Sequence, residues 1–475
     1  MKKKIVKTPV ITLLLLFAVL LCACGARDDH EDRPELSLSD LGIETGSTSA
    51  LLPEPNASGE KTEFFVLCEN GAESSFVPSG ESESELDRKA FERNARIADE
   101  YGIIIREIST GDIVTKVKND VLSGKTDYDA IVMRAKNASP LITSFSLADL
   151  ALLGFSPSAK GYNESVINSL SIAKKQYLAV GNATPSLLLS SYCVALNTEM
   201  CKKTGESAES IIADAENGKF DADTMYRLSS ALASSDAGEE ITKSEGARYI
   251  SVSADDAYAL FNAGGLDFYS ADPVTDEFRP LETSETTDAL YDAMLLLYGI
   301  DHSSEKFDWE TAKSGVTPLF SVMTVNELGS LVSEGAPYVA LPMPKMTAGQ
   351  ENYRSTADTD TFACTAVPAT AEDGAYAVKV MNLIYSLSDD IYSTVRKSVA
   401  GNERDARVFD IIANNTYASA LEIFGWGDLP SFMTSAINEH LKTSVFSLRA
   451  AERINASVAA LAISSESVKN GTKPE

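Results

Sequence analysis

The residues able to do chemistry are scattered, and their types suit holding a ligand better than transforming one. The three histidines, His30, His302 and His440, lie far apart in the chain. No H-E-x-x-H pair, Walker-type phosphate loop or G-x-S-x-G elbow occurs. Gly264-Gly265 has no preceding strand to make a dinucleotide turn, and Asp358-Thr359-Asp360 lacks the glycine and glutamate of a calcium loop. Cys68, Cys193, Cys201 and Cys364 show no metal-binding spacing, and no two carboxylates are singled out as a glycosidase pair. What remains is polar or aromatic, namely Glu69, Asn70, Arg134, Lys136, Tyr192, Thr324, Asn326 and Trp426, together with the apolar Met133 at a strand end. Trp426 stands between two glycines that let the backbone present its ring.

The elements that position these residues are legible in the first third of the chain. Glu63–Cys68 reads as a short apolar strand. Glu85–Tyr101 places Leu86, Ala90, Ile97, Ala98 and Tyr101 on one helical stripe, with Gly102 as its stop. Ile103–Ile108 is a second strand. Asp112–Ser123 is a helix with Asp112 as N-cap and Gly124 at its end, and Tyr128–Met133 is a third strand. This alternation predicts a parallel sheet with right-handed crossovers, whose ligands bind at the carboxyl ends of the strands. Those ends run into Glu69-Asn70-Gly71, Ser109-Thr110-Gly111 and Arg134-Ala135-Lys136-Asn137.

Farther on, Leu187–Leu196 reads as a buried strand. Helical patterns follow at Ala222–Ala233, Asp255–Asn262, Thr287–Tyr298 and Trp309–Lys313. Strand-like runs return at Leu319–Val325, Tyr338–Leu341 and Phe362–Val367, and the end is helical. The order suggests two lobes that the chain visits more than once.

The first residues carry Lys2, Lys3, Lys4 and Lys7, then twelve mostly apolar residues from Val10 to Leu21. That run is too short to span a bilayer, which needs about 20 residues, and it reads as an export signal. Leu21-Cys22-Ala23-Cys24 resembles the bacterial lipobox, which implies cleavage before Cys24 and a diacylglycerol on its thiol. Two acyl chains give stable anchoring. Residues 24–61 are acidic, Ser-rich and without period, and read as a flexible tether. The net charge of -28 argues against nucleic acid and against lying flat on anionic lipid. The four later cysteines allow three disulfide pairings. The chain is large enough to stand without them, so buried free thiols are expected.

Several stretches resemble the extracellular solute-binding proteins of ABC importers, the family-one, maltose-binding-protein-like group, in the version found on Gram-positive anaerobes. They are NARIADEYGIIIREI, DYDAIVM with FSLADLALL, VGNATPSLLLSSYCVALNTEM, FNAGGLDFYSADPVTDEFRPL, FSVMTVNEL with APYVALPMPKMTAGQENYRS, and ERDARVFDIIANNTYASALEIFGWGDL. The resemblance implies an α/β, two-lobed periplasmic-binding-protein-like (type two) fold with hinge-linked lobes and a ligand cleft. Residues 62–192 and 346–400 would form lobe one, 193–345 and 401–465 lobe two, and 466–475 a disordered tail. The chain departs from maltose-type relatives at Met133 and at Val325-Asn326, where they carry aromatics.

The function implied is a lipid-anchored receptor on the extracellular face of the cytoplasmic membrane. As a monomer it would capture a small polar solute, a sugar or oligosaccharide, and deliver it to ABC permease subunits. No cofactor, metal, catalytic residue or nucleic-acid partner is expected. The competing readings are a surface glycoside hydrolase, and a sensor or adhesin that kept the fold and lost transport.

Overall fold

The computed structural model describes residues 51–73, 76–78, 84–237, 249–266, 269–271, 278–280, 284–298, 318–347, 349–425 and 429–471. The leader with Cys22 and Cys24, the expected helix Trp309–Lys313 and Trp426 lie outside the described residues.

The first sheet is built as the alternation requires. β1 (Thr62–Glu69) sits between β2 (Ile103–Thr110) and β3 (Ala130–Arg134), parallel to both. Buried on both faces, β1 hides Phe64, Val66, Leu67 and Cys68. The strand Ala363–Ala366 arrives from far down the chain and closes the sheet antiparallel to β3. The helix between β1 and β2 spans Glu85–Tyr101, as expected, with Ser84 as N-cap and Gly102 in the left-handed conformation at its end. Its buried stripe includes one residue that periodicity would place in solvent. Arg93 is buried because it donates to the Phe76 carbonyl at 2.8 Å, Ser388 Oγ at 3.0 Å and Asn94 Oδ1 at 2.9 Å. Asp112 caps the helix Ile113–Ser123 by accepting from Thr115 N–H at 3.0 Å.

The second sheet is mixed. Tyr192–Asn197 runs antiparallel to Phe320–Thr324 and to Tyr338–Leu341, and the two-residue strand Ile250–Ser251 joins the outer edge in parallel with Phe320–Ser321. The helix Glu403–Asn414 packs on Tyr338–Leu341 and on the helix Ala208–Glu216. The chain crosses between the two sheets at three places that touch one another. Ser355–Thr356 pairs in parallel with Thr416–Tyr417, and Ser191 bridges to Ala357. Asp358 N–H donates to the Ser190 carbonyl at 3.2 Å, Val325 N–H to the Ser191 carbonyl at 2.9 Å, and the Ser191 and Thr416 hydroxyls meet at 3.1 Å. Three adjacent crossings form a narrow hinge.

Several expectations need correction. The run Leu187–Leu196 is not one strand: Ser186–Leu189 is a helical turn and the strand begins at Tyr192. Unbroken apolarity suits a buried turn as well as a buried strand. The last helix runs Thr443–Asn470, so the first half of the expected tail is helical, with Val468 buried. Where the tether meets the fold, the chain is fastened. The Leu51 carbonyl accepts from Asn382 Nδ2 at 2.9 Å, and Asn56 N–H donates to the Glu100 carbonyl at 3.0 Å. Met133 is fully buried in the core and cannot face a ligand. The cysteines 68, 193, 201 and 364 are buried free thiols.

Candidate functional site

The carboxyl ends of β1 and β3 are locked together by one buried carboxylate. Glu69 ends β1 and is 9% exposed. One of its oxygens accepts from Arg134 N–H at 2.9 Å and from Asn137 Nδ2 at 2.9 Å, and the other pairs with the Arg134 guanidinium. The same guanidinium donates to the Gly71 carbonyl at 3.0 Å. Glu69 and Arg134 are thus spent on joining the two loops. Asn70, exposed beside them, has its N–H on the Thr110 carbonyl at 2.9 Å and its side chain toward solvent. Lys136 lies across the loop from Asp360, with Nζ 3.2 Å from the carboxylate.

The facing lobe presents Tyr192 and Thr324, which are direct partners across the second sheet. Thr324 is the N-cap of the helix Val325–Ser333. It forms a capping box with Glu327, so its hydroxyl is committed to the helix start. Asn326 is exposed on the first turn of that helix. Tyr192 is half-buried. Burial, then the carboxylates Asp256 and Asp358 and a hydrogen bond to Asp256, push its hydroxyl far above the usual phenol range.

Asp358 also bears on a second group, which sequence reasoning did not single out. Glu422, on the short helix Ala420–Phe424, is buried, and Asn262 Nδ2 lies 3.4 Å from its carboxylate. Burial pushes the Glu422 carboxyl up to about 8, with Asp358 adding to the rise and Tyr258 opposing it. Asn262 and Tyr258 belong to the helix Ala257–Ala263 of the second lobe, while the Glu422 helix packs on the Ala135–Asn137 turn of the first. The group therefore lies between the lobes. Nothing in the spacing of residues 256–262, 358 and 422 could have joined them, because they arrive on three different passes of the chain.

Beside the hinge is an open cavity of about 650 Å³, lined in part by Gly265, Leu266, Glu285, Gln350, Asn352 and Arg354. Gly265 is left-handed, and Gln350 folds over it to donate from Nε2 to the Ala263 carbonyl at 2.6 Å. Arg354 stacks on Tyr417 at 4.2 Å and donates to the Leu266 carbonyl at 3.2 Å. Gly265 and Leu266 come from the FNAGGLDFYS stretch, and Gln350, Asn352 and Arg354 from APYVALPMPKMTAGQENYRS, brought together at one edge of the crossing strands.

The structure thus gathers Glu69, Asn70, Arg134 and Lys136 at one set of strand ends, and Tyr192, Thr324 and Asn326 at another. It removes Met133 to the core and commits Glu69, Arg134 and Thr324 to structural bonds. Asp256, Tyr258, Asn262, Arg354, Asp358, Tyr417 and Glu422 are the additions. No group of metal-binding side chains occurs among the described residues.

No family model matches the chain, and no curated protein matches it in sequence. Solved structures do match in fold. The galacto-N-biose/lacto-N-biose I-binding protein of an ABC transporter from Bifidobacterium longum aligns at 12% identity and a TM-score of 0.55, covering 86% of this chain and 99% of that one. The GacH receptor of Streptomyces glaucescens, solved with acarbose, aligns at 11% identity and 0.52, over 84% and 99%. The cyclic α-maltosyl-1,6-maltose-binding protein of Arthrobacter globiformis aligns at 12% and 0.53, over 84% and 99%. At such identity the likeness establishes the architecture: the chain has the α/β, two-lobed fold of these binding proteins.

Proposed function

We propose that this chain is a solute-binding receptor of an ABC importer. It captures a sugar or oligosaccharide between its lobes by hinge closure and presents it to permease subunits. The observation that supports this most is the hinge. Three short crossings at residues 190–192, 355–358 and 415–417 are the adjacent links between two sheets whose strand ends carry polar side chains. Ligand contacts to both lobes would favour the closed arrangement. The neighbours of the same fold are described as binding lacto-N-biose, acarbose and a cyclic maltosyl-maltose, and this supports a carbohydrate. In this reading the Cys24 thiol is lipidated and holds the receptor at the outer face of the cytoplasmic membrane. Trp426 covers the apolar face of a pyranose, and the protein turns nothing over.

A thermal-shift screen of the purified protein against mono- and oligosaccharides, followed by calorimetric titration, tests the receptor. Binding without product formation is expected. Reproducible hydrolysis abolished by one carboxylate substitution would favour the hydrolase instead. Replacing Cys24 with alanine should release the protein from membranes, and replacing Cys22 should not. Retention of the Cys24 variant would remove the anchor from the reading.

A further inference from the structure

The last helix, Thr443–Asn470, is 28 residues long and is fastened at its two ends to different lobes. Its first half is bolted to the second lobe. Phe446 stacks on Tyr291 at 3.8 Å and on Phe432 at 5.5 Å, with rings nearly parallel in both pairs. The Thr443 hydroxyl donates to Asp292 at 2.6 Å, and the Ser447 hydroxyl donates to Asp288. Asp288, Tyr291 and Asp292 lie on the helix Ser284–Tyr298, which packs on the strand Ile250–Ser251 of the second sheet.

Its far end lies on the first lobe. Lys175 Nζ donates to the Val468 carbonyl at 3.2 Å, in the last turn of the helix. From Lys175 the chain leads directly into the bridge between Ala179 and Thr365, at the edge of the first sheet. The same helix packs on Ala138–Thr143, which follows β3. The last carbonyls of a helix have no partner within it, and an ammonium there also meets the negative end of the dipole. The turn that places Lys175 is strained. Ile172 and Lys175 exchange backbone hydrogen bonds of 3.3 and 2.9 Å across Ala173 and Lys174, which are left-handed at φ 52° and 56°. Residues other than glycine hold that conformation only where their surroundings enforce it.

The two fastenings stand about 33 Å apart along the helix axis, at 1.5 Å per residue from Phe446 to Val468, and they are unequal. Toward the end, the buried stripe turns from Phe446, Ile454 and Leu461 to Ser465, Ser467 and Val468. Less apolar area leaves water there, so the far end is held more weakly. One helix cannot follow two lobes that rotate against each other, and the weaker end is the one that yields. We propose that the last two turns of this helix are a latch. Bound to the first lobe, they hold the lobes in the present arrangement, and the cleft opens when they come free. This rests on the hinge of the receptor reading and adds a control on it.

Hydrogen exchange and small-angle scattering of the full-length protein, with no solute added, test the latch. Lys175→Met keeps the apolar stem and removes the ammonium. Exchange in residues 461–470 should rise at least about fivefold, exchange in residues 443–454 should stay as it was, and the radius of gyration should grow. Val468→Ser, which removes buried apolar surface and leaves Lys175 in place, should act the same way and serves if the first variant misfolds. Unchanged exchange in both variants overturns the latch. Faster exchange spread evenly over residues 443–470 also overturns it, because the helix would then be a single unit. A freed helix end with an unchanged radius overturns it too, since the lobes would be held elsewhere. Capture is read separately, by saccharide titration of the unaltered protein. Binding there beside any of those three results removes the latch and keeps the receptor. A freed end and a larger radius, with no saccharide bound, keep the latch and remove the receptor.

Discussion

Because both oxygens of Glu69 are taken by Arg134 and Asn137, its loss should be felt by the fold before any ligand. Glu69→Ala would leave the Arg134 guanidinium, whose side chain is 27% exposed, with only the Asn70 and Gly71 carbonyls. Breaking such a pair costs about 3 kcal/mol, readable in urea denaturation. A change under about 0.5 kcal/mol would place Glu69 with ordinary surface residues. Glu422 makes a different prediction, in pH. Burial raises its folded carboxyl from the ordinary value, about 4.3, to about 8. Between those values the folded chain keeps a proton that the unfolded chain has released, so the group's contribution is fully present below the lower value. It is lost as pH rises through the higher one. The protein should therefore weaken between about pH 5 and pH 8 by a few kcal/mol, at roughly 1.4 kcal/mol per unit. Glu422→Gln, which cannot ionise, should flatten that slope, and melting curves across this range in both proteins decide it. Parallel slopes would show that Glu422 does not titrate there.

At the scale of elements, two glycines let backbone segments of the first lobe approach one another closely. Gly161 is left-handed, and a Cβ on it would lie 2.1 Å from the Tyr385 carbonyl oxygen. A Cβ on Gly181 would lie 2.1 Å from the Gly161 carbonyl, beside the bridge between Tyr162 and Gly181. Gly161→Ala should cost at least about 3 kcal/mol, because backbone must move. Gly205→Ala, equally left-handed but with nothing within 4 Å, should cost only about 1 kcal/mol. Equal losses at the two positions would mean that close packing at Gly161 is relieved cheaply. These contacts were illegible in the sequence, which marks a glycine but not what approaches it. The local elements were legible because caps and periods are local: Asp112, Gly124 and the Glu85–Tyr101 stripe gave their helices to within a residue. Arg93 broke that stripe for a non-local reason, a carbonyl and a hydroxyl brought in by distant segments. The candidate site divides the same way. The strand ends at Asn70 and Lys136 follow from the β–α alternation, whereas Asn262 and Glu422 meet only because the chain crosses the hinge repeatedly. Thr324 looked like a ligand group because it follows a strand, but its spacing to Glu327 is that of a capping box, which the sequence also carries.

For the molecule as a whole, the hinge makes one mechanical claim. The three crossings are short and mutually bonded, with the Ser191 and Thr416 hydroxyls 3.1 Å apart. Rotation there displaces the lobes about a narrow axis without disturbing either sheet. The helix Asp389–Val399 packs on Glu85–Tyr101 from the first lobe and on Val325–Ser333 from the second, so it spans the lobes away from the crossing strands. A solute that contacts exposed Asn70 on the first lobe and exposed Asn326 on the second draws the two sets of strand ends together. Binding should then have two linked signatures. At a hundredfold excess over its dissociation constant, a bound solute adds about 2.7 kcal/mol of stability, and the melting temperature rises. Small-angle scattering of the same sample should show a smaller radius of gyration, because stabilisation and closure come from the same contacts. A melting shift with an unchanged radius would mean that the solute binds one lobe alone, and the hinge would then have no part in capture.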